Sequence, residues 1–310
     1  VMDIYSYVVD DRFLPVARID YPGDGSSLSK CVDVTVFAYD DNLSEARLIA
    51  NGIVLDSWSE AGSHTYMWNT TELDDGNYIL TLEAYDQAGN IAETDSFVIV
   101  DNTLPEVCIQ WPLDGSYVRD TVVVEVSAWD VNFEEMELKI GVSVQVWERS
   151  GTQTYTWNTT EYFDGFHNII LTARDRAGNE AETSVAVTVD NTPPLINNLT
   201  WVPSEPEADE SVNVSVQVFE EGSRINNVTL WLKINDGEWE NLTMTPEDSN
   251  WTCTIPGQAE NATVIFYVEC YDNAGNFGVT SENSYTVGVT YVSGFPLHWL
   301  LAIIVIIVAI

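Results

Sequence analysis

Positive charge is scarce in this sequence: 11 Lys and Arg stand against 49 Asp and Glu over 310 residues, a formal net charge of −38. Such a surface repels phosphate backbones, which excludes nucleic acid as a partner. Histidine is scarce as well. His64, His167 and His298 lie far apart in the chain, so no His-based triad or zinc cluster can be assembled from neighbours. Gly-rich phosphate loops, G-x-S-x-G, H-E-x-x-H and C-x-x-C are all missing. Paired carboxylates are frequent, but among 49 acids any pair is expected by composition and carries no glycosidase signal. The chain is read as no enzyme. Helical periodicity is also missing, apart from one charge-free apolar run, FPLHWLLAIIVIIVAI at 295–310.

Material for hydrophobic cores is present in quantity. Hydrophobic residues make up 45% of the chain, with 11 Trp, 14 Tyr and 10 Phe, which separates it from acidic disordered segments. Self-similarity organises them. TYMWNTTELDDG (65–76) returns as TYTWNTTEYFDG (154–165), at an offset of 89 residues. YDQAGN (85–90) returns as RDRAGN (174–179) and again as YDNAGN (271–276), and VDNTLP (100–105) returns as VDNTPP (189–194). Within each unit apolar residues alternate, as in VDVTVFAY (32–39), VVVEVSAW (122–129) and VIFYVECY (264–271), with Gly, Asn, Asp and Pro between the runs. Period-two strands at short spacing predict an all-β fold of tandem immunoglobulin-like or fibronectin-type β-sandwiches. Expected boundaries are 14–102, 103–191 and 192–289, with a tyrosine corner at Tyr78. Residues 1–13 match the last strand and linker of such a unit, so either an upstream domain is expected or this strand completes a sheet in another chain by strand addition. Residues 290–310 are expected to be a stem and the start of a transmembrane helix, shorter than the ~20 apolar residues a span requires.

Units ending in Y-D-x-A-G-N and joined by V-D-N-T-x-P resemble the immunoglobulin-like repeats of archaeal and bacterial cell-surface and surface-layer proteins. GFP before the apolar run (294–296) is similar to the anchor signal of archaeal surface proteins, with Ser293 where that signal has Pro. The resemblance implies an extracellular protein held in the cytoplasmic membrane by a single C-terminal helix, with self-association in a lattice or filament. Adhesion through an upstream domain, and a carrier stalk for an exported enzyme, are the other readings.

In a seven-strand sandwich the BC and FG loops lie at the end where the chain arrives, here called the leading end; the AB and EF loops lie at the trailing end. Each linker should therefore gather acids: Asp101, Asn102, Asp130 and Asp175 at one joint, Asp190, Asn191, Glu220 and Asp272 at the next, and Asp10, Asp11, Asp40 and Asp86 ahead of the first domain. Converging oxygen donors suit calcium, which takes six to eight oxygens. Alternatively, the Asp of D-x-A-G-N simply caps its own turn. No other cofactor is expected. The same logic pairs Cys31 with Cys108 across a joint, and alignment of the third repeat, which sets Cys253 near Trp68 and Cys270 near Ala84 of the first, pairs Cys253 with Cys270 in the third core, a bridge worth about 2–4 kcal/mol. Nine N-x-S/T sequons mark candidate glycosylation sites: Asn42, Asn69, Asn158, Asn198, Asn213, Asn227, Asn241, Asn250 and Asn261.

Overall fold

A computed structural model describes residues 12–289. Among them every regular element is a strand except one turn of 3₁₀ helix, Thr159–Glu161. In the first sandwich the strands are β1 Val16–Tyr21, β2 Ser27–Leu28, β3 Cys31–Tyr39, β4 Leu43–Ala50, β5 Ile53–Trp58, β6 Gly62–Asn69, β7 Gly76–Asp86 and β8 Ile91–Val100. The second repeats them as β9 Glu106–Trp111, β10 Tyr117–Val118, β11 Thr121–Trp129, β12 Phe133–Ile140, β13 Ser143–Trp147, β14 Gly151–Asn158, β15 Gly165–Asp175 and β16 Glu180–Val189. In the third are β17 Leu195–Val202, β18 Val212–Phe219, β19 Ile225–Ile234, β20 Glu240–Thr243, β21 Thr245–Glu247, β22 Asn250–Ile255, β23 Thr263–Asp272, β24 Phe277–Val279 and β25 Asn283–Thr286.

Each sandwich packs two sheets. The first sets β1-β3-β6 against β2-β8-β7-β4-β5, and the second sets β14-β11-β9 against β10-β16-β15-β12-β13. The short β2 pairs in parallel with the last strand β8, so the opening segment serves both sheets. In the third, β17-β18-β22-β21 faces β20-β19-β23-β24, with β25 also on β23.

Alternation of apolar residues produces the cores directly. On β3, Val34, Val36 and Ala38 are fully buried, and Leu80, Leu82 and Ala84 of β7 meet them in one cluster. Val212, Val214 and Val216 with Val264, Phe266 and Val268 form the same core in the third sandwich. Asn51 and Gly52, both at positive φ (44° and 82°), make the tight turn from β4 to β5. The tyrosine corner is present: Tyr78 Oη donates to the Asp74 carbonyl at 3.1 Å.

Backbone contacts divide the chain into two compact units. Among the described residues the first covers 12–115, 123–157 and 167–187; the second covers 116–122, 158–166 and 188–289. Register places the loops that matter below. Val16 pairs with Tyr39, and Leu43 with Asp86, which brings the BC and FG loops of the first sandwich to its leading end.

Candidate functional site

The repeated phrases of the sequence meet at the linkers. In W-N-T-T-E, Asn69 Oδ1 accepts the Thr71 N–H and hydroxyl at 3.1 and 2.9 Å. Asn158 does the same for Thr160 at 3.3 and 2.9 Å. These turns leave Thr70 and Thr159 buried at the trailing end, where their hydroxyls donate to the carbonyls of Lys30 and Asp120 at 2.8 and 2.9 Å.

The linker Asn docks on that Thr. Asn102 Oδ1 accepts from the Lys30 N–H at 3.0 Å, and its Nδ2 donates to the Thr70 carbonyl at 3.0 Å. The Asn102 N–H reaches Asp75 Oδ1 at 2.8 Å, and the Thr103 hydroxyl takes the other oxygen. These donors hold the Asp75 carboxyl below its ordinary pKa, the Thr103 hydroxyl contributing most. Asn191 repeats the arrangement with Asp120 N–H at 2.8 Å, the Thr159 carbonyl at 3.3 Å and Asp164 Oδ1 at 2.9 Å. Asn102 and Asn191, expected among the converging acids, are therefore turned the other way, because their amides are consumed by the preceding sandwich.

The linker Asp turns forward. Asn179 of D-R-A-G-N donates Nδ2 to the Asp101 carbonyl at 2.8 Å, and Asn276 makes the same bond to Asp190 at 2.8 Å. Each of these Asn residues is itself held by the Asp of its own motif. Asp175 Oδ1 accepts the Asn179 N–H at 2.8 Å and Oδ2 accepts Nδ2 at 2.7 Å. Asp272 holds Asn276 through the same pair at 2.8 and 2.8 Å. Turn chemistry and convergence of acids thus coexist in the same residues.

In two of the three expected groups the acids come together, without the linker Asn. Asp101, Asp130 and Asp175 bring one carboxylate oxygen each to within 4.8 Å of one another, and Asp190, Glu220 and Asp272 do likewise. Burial and the neighbouring carboxylates push Asp130 and Glu220 up, against the backbone N–H groups of Asn132 and Gly222 that favour their charged forms. Ahead of the first sandwich, Asp10 and Asp11 lie outside the described residues. Asp40 accepts the Asn42 N–H at 2.7 Å, while Asp86 holds the Asn90 N–H at 2.8 Å.

All four cysteines are free thiols, so the two expected disulfides are not formed. In the third sandwich the expectation failed on register. Trp68 pairs with Val32 and packs edge-on against Tyr78, with ring centroids 5.9 Å apart. Counting from the shared A-Y-D and V-F-E, Val32 corresponds to Val212, whose partner is Ile255; Cys253 pairs with Val214, as Tyr66 does with Val34. Cys253 therefore takes the place of Tyr66 rather than that of Trp68, and Cys253 and Cys270 stay unbridged. Cys31 turns to Asn69 Oδ1 in its own sandwich at 3.8 Å. Cys108 is exposed on β9, since its neighbour Ile109 faces the core.

The sequon residues Asn69, Asn158, Asn198, Asn213, Asn227, Asn241 and Asn261 are exposed, and Asn42 and Asn250 are half-buried. The apolar run at 295–310 lies outside the described residues, among which no helix is long and apolar enough to cross a membrane.

Comparison with known proteins bears on the fold. Residues 62–136 and 151–230, together half of the chain, match the model described as bacterial Ig-like domain (group 3), and residues 15–82 match the bacterial Ig domain. Similar solved structures include titin domains A168–A170, at 12% identity over 88% of this chain and 99% of that one, TM-score 0.44. Fibronectin(III)-like modules of Clostridium thermocellum CbhA match at 17% identity over 57% and 94%, TM-score 0.38. A tetra-tandem repeat from the extending region of a large adhesion protein matches at 15% over 88% and 74%, TM-score 0.31. No curated protein matches the sequence.

Proposed function

The chain belongs to the bacterial Ig-like domain (group 3) family, and from that premise we propose that it is a structural protein of the cell surface. In this reading its sandwiches form a spacer, anchored in the cytoplasmic membrane through the apolar run 295–310. The observation that carries the reading is the repeated linker clamp. W-N-T-T, the Asp of D-D-G and F-D-G, V-D-N-T and D-x-A-G-N all spend their side chains on seating one linker Asp-Asn pair. Residues repeated for that purpose fix the spacing of successive domains; they perform no chemistry on a substrate. A net charge of −38 keeps neighbouring copies soluble and makes any lattice between them dependent on counter-ions. Exposed sequons are available for glycans that would shield the third sandwich, where six of the nine fall.

Immunogold labelling of intact cells tests the reading. Dense label on unpermeabilised cells, in register with a surface array or filament, supports it; label that appears only after permeabilisation refutes it.

A further inference from the structure

The two acid clusters have the same three positions but not the same surroundings. In the first, Asn132 donates Nδ2 to Asp101 Oδ2 at 2.6 Å. Aligned on the preceding A-W-D and V-F-E, the residue at that place in the second is Gly222. No amide is available there, and Asp190 Oδ2, in a side chain that is 0% exposed, has no hydrogen-bond partner. The Asp190 carboxylate also occupies the space of the missing side chain: a Cβ on Gly222 would fall 2.6 Å from Oδ2. A buried carboxylate oxygen without a donor is costly, and Glu220 and Asp272 each bring a carboxylate oxygen to within 4.8 Å of a carboxylate oxygen of Asp190.

Nearby positive charge does not resolve this. Arg119 pairs with Asp120 at 3.1 Å and reaches Asn276 Oδ1 at 3.5 Å, and none of its bonds goes to the three carboxylates. The remaining contacts of the cluster leave oxygen lone pairs free. Asp190 Oδ1 accepts the Thr192 N–H at 3.1 Å, and Glu220 Oε1 accepts the Gly222 N–H at 2.6 Å.

We propose that Asp190, Glu220 and Asp272 bind a calcium-class divalent cation, with Asp190 Oδ2 as the central ligand, and that the first cluster is filled instead by the Asn132 amide. Three acidic oxygens, completed by carbonyls and water, fit calcium better than the strict octahedron of magnesium. The inference draws on the surface reading only for the supply of the ion, since extracellular modules bind calcium at about 10⁻⁴–10⁻³ M.

The test is calorimetric titration of the metal-stripped 310-residue chain with calcium chloride, and with magnesium chloride in parallel, together with melting in excess chelator and in calcium. Wild type should lose one equivalent of calcium on Asp190→Asn and on Glu220→Gln, and keep it on Asp101→Asn. A hundredfold excess of calcium over Kd should raise the wild-type Tm by about 5 °C or more. In chelator Asp190→Asn should melt no lower than wild type, because it removes an uncompensated buried charge; this separates lost binding from a damaged fold. Absence of calcium uptake by wild type, uptake that both variants leave intact, or uptake of magnesium alone overturns the proposal. The titration reads the site and immunogold reads the location, so each can fail without the other.

Discussion

Asn179 Nδ2 lies 2.8 Å from the main-chain oxygen of Asp101, and the same amide is gripped by Asp175 Oδ2 at 2.7 Å. One side chain thereby ties the linker to the FG turn of the domain that follows. Replacing Asn179 with Ala strips the buried Asp101 carbonyl and the buried Asp175 carboxylate of a donor at once. The expected cost is about 1–3 kcal/mol, read as a lower urea midpoint for the variant at unchanged m-value. An equal midpoint would show that water replaces the amide freely.

At the opposite side of the linker, Asp75 carries a pH dependence. Its pKa is lowered by the Thr103 hydroxyl and the Asn102 N–H. A lowered folded-state value means the stabilisation is complete above the ordinary carboxylate pKa of about 4 and is lost as pH falls through the lowered value. Wild type should therefore melt above Asp75→Ala at pH 7, and the gap should close as pH falls below the ordinary carboxylate range. A gap independent of pH would assign the effect to packing alone.

Much of this joint was readable as a string. The repeated phrases are its components, and strand parity alone brings Asp101 to Asp130 and Asp175. Parity, however, locates an end of a sandwich and not the direction of a side chain, so Asn102 was placed with the acids although its amide faces Thr70 and Lys30. Thr70, Asp75 and Asn179 were overlooked as linker residues even though each stands inside a repeated phrase; the repetition itself was the available signal. The cysteine pairing failed because the third sandwich lacks W-N-T-T, leaving the alignment of β22 without an anchor until the Val212–Ile255 pair fixed it.

The thiols divide by burial. Burial pushes Cys253 up to about 11 and Cys270 up to about 12, the latter helped by Asp272 and Glu220. Because the thiolate is the reactive form, both should resist a thiol reagent at pH 8 in the native protein. Cys31 and Cys108 are exposed and should react at once. Unreduced protein should therefore titrate two thiols when native and four in guanidinium; fewer than four in guanidinium would reveal a disulfide.

The contrast between Asn132 and Gly222 predicts a gain of function. If the Asn132 amide is what closes the first cluster, then Asn132→Gly leaves Asp101 Oδ2 as bare as Asp190 Oδ2 is now. Placed in the Asp190→Asn background, where the second cluster no longer responds, the substitution should lower stability in chelator by about 1–3 kcal/mol. Calcium should then restore it, whereas the parent variant gains nothing from the ion. Asp130 and Asp175 still supply the other two acidic oxygens within 4.8 Å, so the engineered site has three carboxylates as the second cluster does, with Asp130 where that cluster has Glu220. A melting curve of the double variant that calcium leaves unmoved would show that residue 132 is not the gate, and that position along the chain, rather than one amide, separates the two clusters.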